Sequence, residues 1–118
     1  MTLPKLAFIT ASIALTLGCS EPRDPEKVLA LQGTVERGEP QFQMTCARCH
    51  GEVGGGGPRA PALSAISRLS DRDIADAILN GRGAMRGTRL NEQQARDVLA
   101  FLRQRFPAPS PRPTPTDK

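Results

Sequence analysis

Tryptophan and tyrosine are absent from this chain, and phenylalanine occurs only four times in 118 residues. Hydrophobic residues of every kind make up 38%. A chain so poor in large apolar side chains buries little surface of its own, and domains this small are marginally stable at best. A cofactor, a metal or disulfides must complete the core. Histidine occurs once and cysteine three times. A structural zinc site takes four thiolate or imidazole ligands, and an odd thiol count argues against a disulfide framework. No apolar run reaches the ~20 residues of a membrane-spanning helix. A dense basic run is missing too. The formal charge is +4, from 16 basic and 12 acidic residues, with the positive charge mostly on scattered Arg. That pattern points away from nucleic acid and suits docking onto acidic protein surfaces.

What is present divides into four parts. Residues 1–18 read as an export signal, with Lys5 ahead of an uncharged, mostly apolar run from Leu6 to Leu17. A buried core helix is the alternative, and the extreme N-terminal position weighs against it. Cys19 ends the run, and Leu15-Thr16-Leu17-Gly18-Cys19 resembles the bacterial lipoprotein signal, in which the Cys is lipidated and becomes the mature N-terminus. Thr16 departs from the apolar residue usual there, so cleavage by ordinary signal peptidase, giving a soluble periplasmic protein, stays an alternative. The lipoprotein reading places the domain on the periplasmic side of a bacterial membrane, in contact with it through the anchor at Cys19. Residues 19–34 are then the lipidated Cys and a polar tether bearing Pro22 and Pro25, with nothing to suggest a core. Residues 35–106 form the globular domain. Residues 107–118 carry Pro107, Pro109, Pro111, Pro113 and Pro115, the composition of an extended, solvated tail.

The globular part reads as all-α, with three main helices and irregular loops. Ser70 is placed to cap a helix from Asp71 to Asn80, with Asp73 three residues on. Leu69 and Ile74 are spaced for a hydrophobic staple, and Gly81 for a left-handed end. Asn91 and Gln94 form a capping box for a helix from Glu92 to Arg105. Ala95, Val98, Leu99 and Leu102 make its apolar stripe, and Pro107 stops it. The first helix leads into Cys46. It begins near Pro40, or near Val35 with a kink at Pro40. The Gly and Pro density from Gly51 to Pro61 predicts a long irregular loop, and no strand stands out.

Cys46-Ala47-Arg48-Cys49-His50 carries the chemistry. Cys-x-x-Cys-His reads as a c-type haem attachment. Two thiols three residues apart at a helix end can each add to one vinyl group on a single porphyrin edge. The His that follows then lies under the ring centre, where its imidazole binds iron. A disulfide between Cys46 and Cys49 is chemically possible, but it leaves the thin core unexplained. One haem c per chain repairs that deficit, and the haem-free chain is expected to be largely unfolded. The sixth ligand follows by elimination. His50 is the only His, Met1 leaves with the signal, and Met44 sits on the attachment side. Met85 remains, in a Gly-rich run from Gly81 to Gly87. A thioether opposite His raises the reduction potential.

These residues resemble class I cytochrome c of the bacterial mono-haem kind, over Gly38 to Phe106. The resemblance implies the small cytochrome c fold wrapped around one covalent haem. It implies that Gly38 and Phe42 pack on the last helix near Val98, Phe101 and Leu102. It implies that Pro61, in Pro61-Ala62-Leu63, binds His50 through its carbonyl and so fixes the tautomer. The run from Asn80 to Met85 is similar to the family's Gly-x-Gly-x-Met segment. Arg86 stands where the family often has Pro, which implies a less stiff loop and a more labile Met–iron bond. With no Tyr or Trp to bind the propionates, Arg59, Arg82, Arg86 and Arg89 are the candidates, against the plainer reading of a solvated basic rim.

Two functions are weighed. A six-coordinate haem makes the chain a one-electron carrier or electron-transfer subunit, and not an enzyme. Its partners are then redox proteins of a respiratory or dehydrogenase chain with acidic docking surfaces, met by Arg48, Arg82 and Arg86. An open or labile sixth position would instead make a gas-sensing or catalytic haem protein. No second His is available for distal acid–base work.

Overall fold

The structure, a computed structural model, describes residues 21–110. The expected export signal, Cys19 and the tail from residue 111 lie outside the described residues. Residues 107–110 are exposed and carry no regular structure.

Helix α5 (Glu92–Arg105) is the spine. Asn91 Oδ1 accepts from the Gln94 backbone N–H at 2.8 Å, and Gln94 Oε1 accepts from the Asn91 backbone N–H at 2.9 Å. This reciprocal box satisfies two otherwise unpaired backbone donors. Ala95, Val98, Leu99 and Leu102 are buried, as the stripe predicts, together with Phe101.

Helix α2 (Val35–Thr45) lies against α5. It starts at Val35 with Thr34 as N-cap and runs through Pro40. Pro40 lacks the N–H that would bond the Glu36 carbonyl, and both residues are exposed, which leaves that oxygen open to solvent. The α2–α5 crossing is close at Gly38, where a Cβ would overlap the Asp97 backbone. Phe42 and Phe101 stack there with ring centroids 5.0 Å apart and a 43° tilt. The predicted packing of Gly38 and Phe42 on the last helix is therefore present. A break at Cys46 separates α2 from the short α3 (Ala47–His50).

Helix α4 (Asp71–Asn80) packs its buried Ile74, Ala75, Ile78 and Leu79 into the same core. Ser70 Oγ accepts from the Asp73 backbone N–H at 3.1 Å and donates to Asp73 Oδ2 at 2.7 Å. The Asp73 side chain thus takes the cap hydroxyl instead of closing a backbone box. Gly81 ends the helix at φ 87° and ψ 172°. That is extended backbone with positive φ, not the predicted left-handed turn, and only glycine enters it freely.

Three features depart from the sequence reading. The tether assigned to residues 19–34 is part of the folded body from Arg23 on. Helix α1 (Pro25–Leu29) is capped by Asp24, and its Val28 is fully buried in the core. Five residues are too few to show a helical period, and Val28 beside Leu29 in so short a run gives no stripe. A hairpin of two two-residue strands, β1 (Gly81–Arg82) and β2 (Met85–Arg86), occupies the Gly-rich run from Gly81 to Gly87, where no strand was expected. Gly81 pairs with Arg86 and Arg82 with Met85. Gly83, with φ 57°, holds the first of the two turn positions, where a II′ hairpin favours glycine. Strands this short cannot show a period of two. Third, Leu63–Arg68 forms a 3-10 helix.

Candidate functional site

The segment after α3 is the expected irregular loop. The Gly56 N–H donates to the His50 carbonyl at 2.7 Å, and the Leu63 N–H to the Gly54 carbonyl at 2.8 Å. These turns fold the chain back on α3 and bring Pro61 over His50. The His50 Nδ1–Pro61 carbonyl distance is 2.9 Å. A carbonyl only accepts, so Nδ1 carries the proton and Nε2 keeps its lone pair. His50 is otherwise buried, at 8% exposure.

Cys46, Cys49, His50, Pro61 and Met85 all line one cleft of about 800 Å³. The sequence separates them by up to 39 residues, and four elements deliver them: the α2–α3 break, α3, the Gly-rich loop and the hairpin. The walls are apolar, from Phe42, Leu63, Ile66, Leu69, Ile74 and Leu102. Leu63, Ile66 and Leu69 repeat every third residue, the period of a 3-10 helix. That spacing was the available signal for a wall the sequence reading left unassigned.

Both thiols are free, Cys46 half-buried and Cys49 exposed. Burial, with a smaller contribution from neighbouring Cys49, pushes the Cys46 thiol up to about 11. The thiolate is the nucleophile, so burial leaves the Cys46 thiol less reactive in the folded cleft. Among the described residues, no group of three or more His, Cys, Asp and Glu comes together as a metal cage. Arg59, Arg82 and Arg86 line the cleft, and among the described residues no Asp or Glu does. Arg89 is exposed and does not line it. Met44 is 66% exposed and does not line the cleft.

The donor set fits a covalent haem. Two unpaired thiols lie at the cleft with an imidazole whose Nε2 is available, a thioether comes from a separate element, and the space between is apolar and rimmed by cations.

Fold and site together define a class I c-type cytochrome. Residues 33–102 match the family described as cytochrome C oxidase, cbb3-type, subunit III, and the chain belongs to this family of cytochrome c domains. A "Cytochrome c-553-like" protein of Synechocystis sp. is 35% identical over 79 residues, which cover 65% of this chain and 74% of that protein. The crystal structure of cytochrome CL from the marine methylotroph Methylophaga aminisulfidivorans superposes with a TM-score of 0.55 at 20% identity, covering 75% of this chain and 71% of the other. That likeness shows the small all-α cytochrome c fold. The family implies haem c as the cofactor and haem-based electron transfer as the general function.

Proposed function

We propose that the chain is a one-electron carrier, or the electron-transfer subunit of a larger complex, holding one haem c with His50 and Met85 as axial ligands. When bound, the haem iron supplies reversible one-electron exchange. The observation that carries the reading is the 2.9 Å contact from His50 Nδ1 to the Pro61 carbonyl. It leaves Nε2 as the free ligand atom and restrains the ring. Cys46 and Cys49 would hold the haem covalently through thioether bonds. Met85 would supply its thioether as the second iron ligand and so keep small ligands out. In the reduced protein carbon monoxide should therefore bind poorly, and Met85→Ala should bind it readily with the fold intact. Fast binding to the unaltered protein would favour the gas-sensing or catalytic reading.

Arg59, Arg82 and Arg86 at the cleft suit two anionic groups, the haem propionates and an acidic partner surface. Exposed Arg48 adds to the docking face. The partners are redox proteins of a respiratory or dehydrogenase chain. Names among the relatives fit either role, an oxidase subunit or a free c-553-like carrier. Electron-transfer rates with an acidic redox protein should fall as salt is added. A salt-independent rate contradicts this docking face.

The chain works on the periplasmic side of a bacterial membrane in this proposal, anchored by lipid at Cys19. Among the described residues, no helix is long and apolar enough to cross a membrane. Four peptide steps separate Cys19 from Arg23, where the folded body begins, a reach of at most about 14 Å. A lipid there would hold the domain close to the bilayer. The mass of the mature protein separates the lipidated from the soluble form.

A further inference from the structure

Arg23 lies ahead of α1 and touches both ends of the segment that carries Met85. Its backbone pairs twice with Asn80, the last residue of α4. The Arg23 N–H donates to Asn80 Oδ1 at 2.7 Å, and Asn80 Nδ2 donates to the Arg23 carbonyl at 2.7 Å. Its guanidinium reaches the other end, donating to the carbonyl of Leu90 at 2.6 Å and, more weakly, to that of Thr88 at 3.4 Å. Glu92 stands 3.6 Å from the same group. Met85 lies between these two grips, in a run with three glycines and no proline after the Met.

We propose that Arg23 is a positioning residue for Met85, a clamp that ties the entrance of the loop to its exit and so suppresses release of the thioether from iron. The proposal rests on the reading of Met85 as sixth ligand. A glycine-rich loop gains much conformational entropy when it lets go. Fixing both of its ends restricts the open states and so lowers their population. The clamp is itself backed. Val28, fully buried five residues on, seats α1 in the core. The stiffness that proline after the Met would supply locally comes here from the N-terminal segment.

The test is an imidazole titration of the oxidised holoprotein, followed by loss of the sulfur-to-iron charge-transfer band. Added imidazole competes only when Met85 is off the iron, so its apparent affinity follows that population. Arg23→Ala should bind imidazole about tenfold tighter, the factor expected for one lost charge-assisted hydrogen bond. Asn80→Ala should shift the same way, and Arg23→Lys should fall between Arg23→Ala and the unaltered protein. Glu26→Ala removes only the exposed 2.9 Å ion pair between α1 and Arg72, touches neither Arg23 nor the loop, and should leave the affinity unchanged. Unchanged affinity in both Arg23→Ala and Asn80→Ala overturns the clamp, as does an equal shift in Glu26→Ala, which would reduce Arg23 to general stability. A missing charge-transfer band in the unaltered protein overturns the Met85 reading itself, a different failure seen before any titration.

Discussion

Asp97 is the one acidic side chain buried among the described residues, at 3% exposure. Burial alone would raise its pKa. The Arg37 guanidinium, which donates through Nε at 3.0 Å and a terminal nitrogen at 3.1 Å, outweighs that, helped by the Thr34 backbone N–H and Gln93. The net effect holds Asp97 below the ordinary carboxylate range. A depressed folded-state pKa contributes stability above the unfolded value of about 3.9, lost as pH falls through the folded value. Asp97→Ala should destabilise the holoprotein by about 2–3 kcal/mol in denaturant at neutral pH. Its stability should also fall less than that of the unaltered protein as pH drops below about 4. Equal acid sensitivity would remove Asp97 from this account. Cys46, Cys49 and His50 are legible because their chemistry sits in five consecutive residues. Asp97 is not, because Thr34 and Arg37 lie 63 and 60 residues away. An acid in an otherwise apolar helix face signals only that some partner exists.

At the scale of elements, the legible helices carry both a cap and a stripe. Helices α4 and α5 have both, and their observed bounds coincide with the predicted ones. Helix α1 has a cap and a Pro at its first position but only five residues, too few for a stripe, so its sequence resembles a linker. Its attachment is tertiary. Arg96 Nε donates to the Leu31 carbonyl at 2.8 Å and Gln93 Nε2 to the Gln32 carbonyl at 2.8 Å, fastening the link between α1 and α2 onto α5. Val28→Ala should cost about 2 kcal/mol, the transfer of two buried methyl groups plus a small cavity. Chemical denaturation measures this, and a change under about 0.5 kcal/mol, typical of surface sites, would return the segment to the status of a tether. The hairpin and the 3-10 helix escaped for another reason. The two-residue strands span a single period of two, and the 3-10 helix repeats every third residue instead of every 3.6, yet both shape the haem cleft.

For the whole molecule, the deficit in the composition and the cleft in the fold are one fact. Twelve buried hydrophobic residues form the core among the described residues, and the cleft of about 800 Å³ opens directly onto it. Phe42, Ile74, Ile78 and Leu102 belong to both. A flat apolar cofactor seated there continues the core instead of occupying a pocket on its surface. The missing Tyr and Trp thus told of a cofactor, and the Cys-x-x-Cys-His run told which one. How the chain returns Pro61 to His50 came from resemblance, since no local rule ties residues 11 positions apart through a glycine-rich loop. The placement of Met85 rests on counting sulfur and nitrogen ligands, and the fold brings that residue to the cleft. The central claim is a haem ligated by His50 and Met85. The visible absorption spectrum of the holoprotein, oxidised and reduced, tests it most directly. The account predicts sharp low-spin bands on reduction and a weak sulfur-to-iron charge-transfer band when oxidised. A high-spin spectrum, or a low-spin one without the sulfur band, would contradict it.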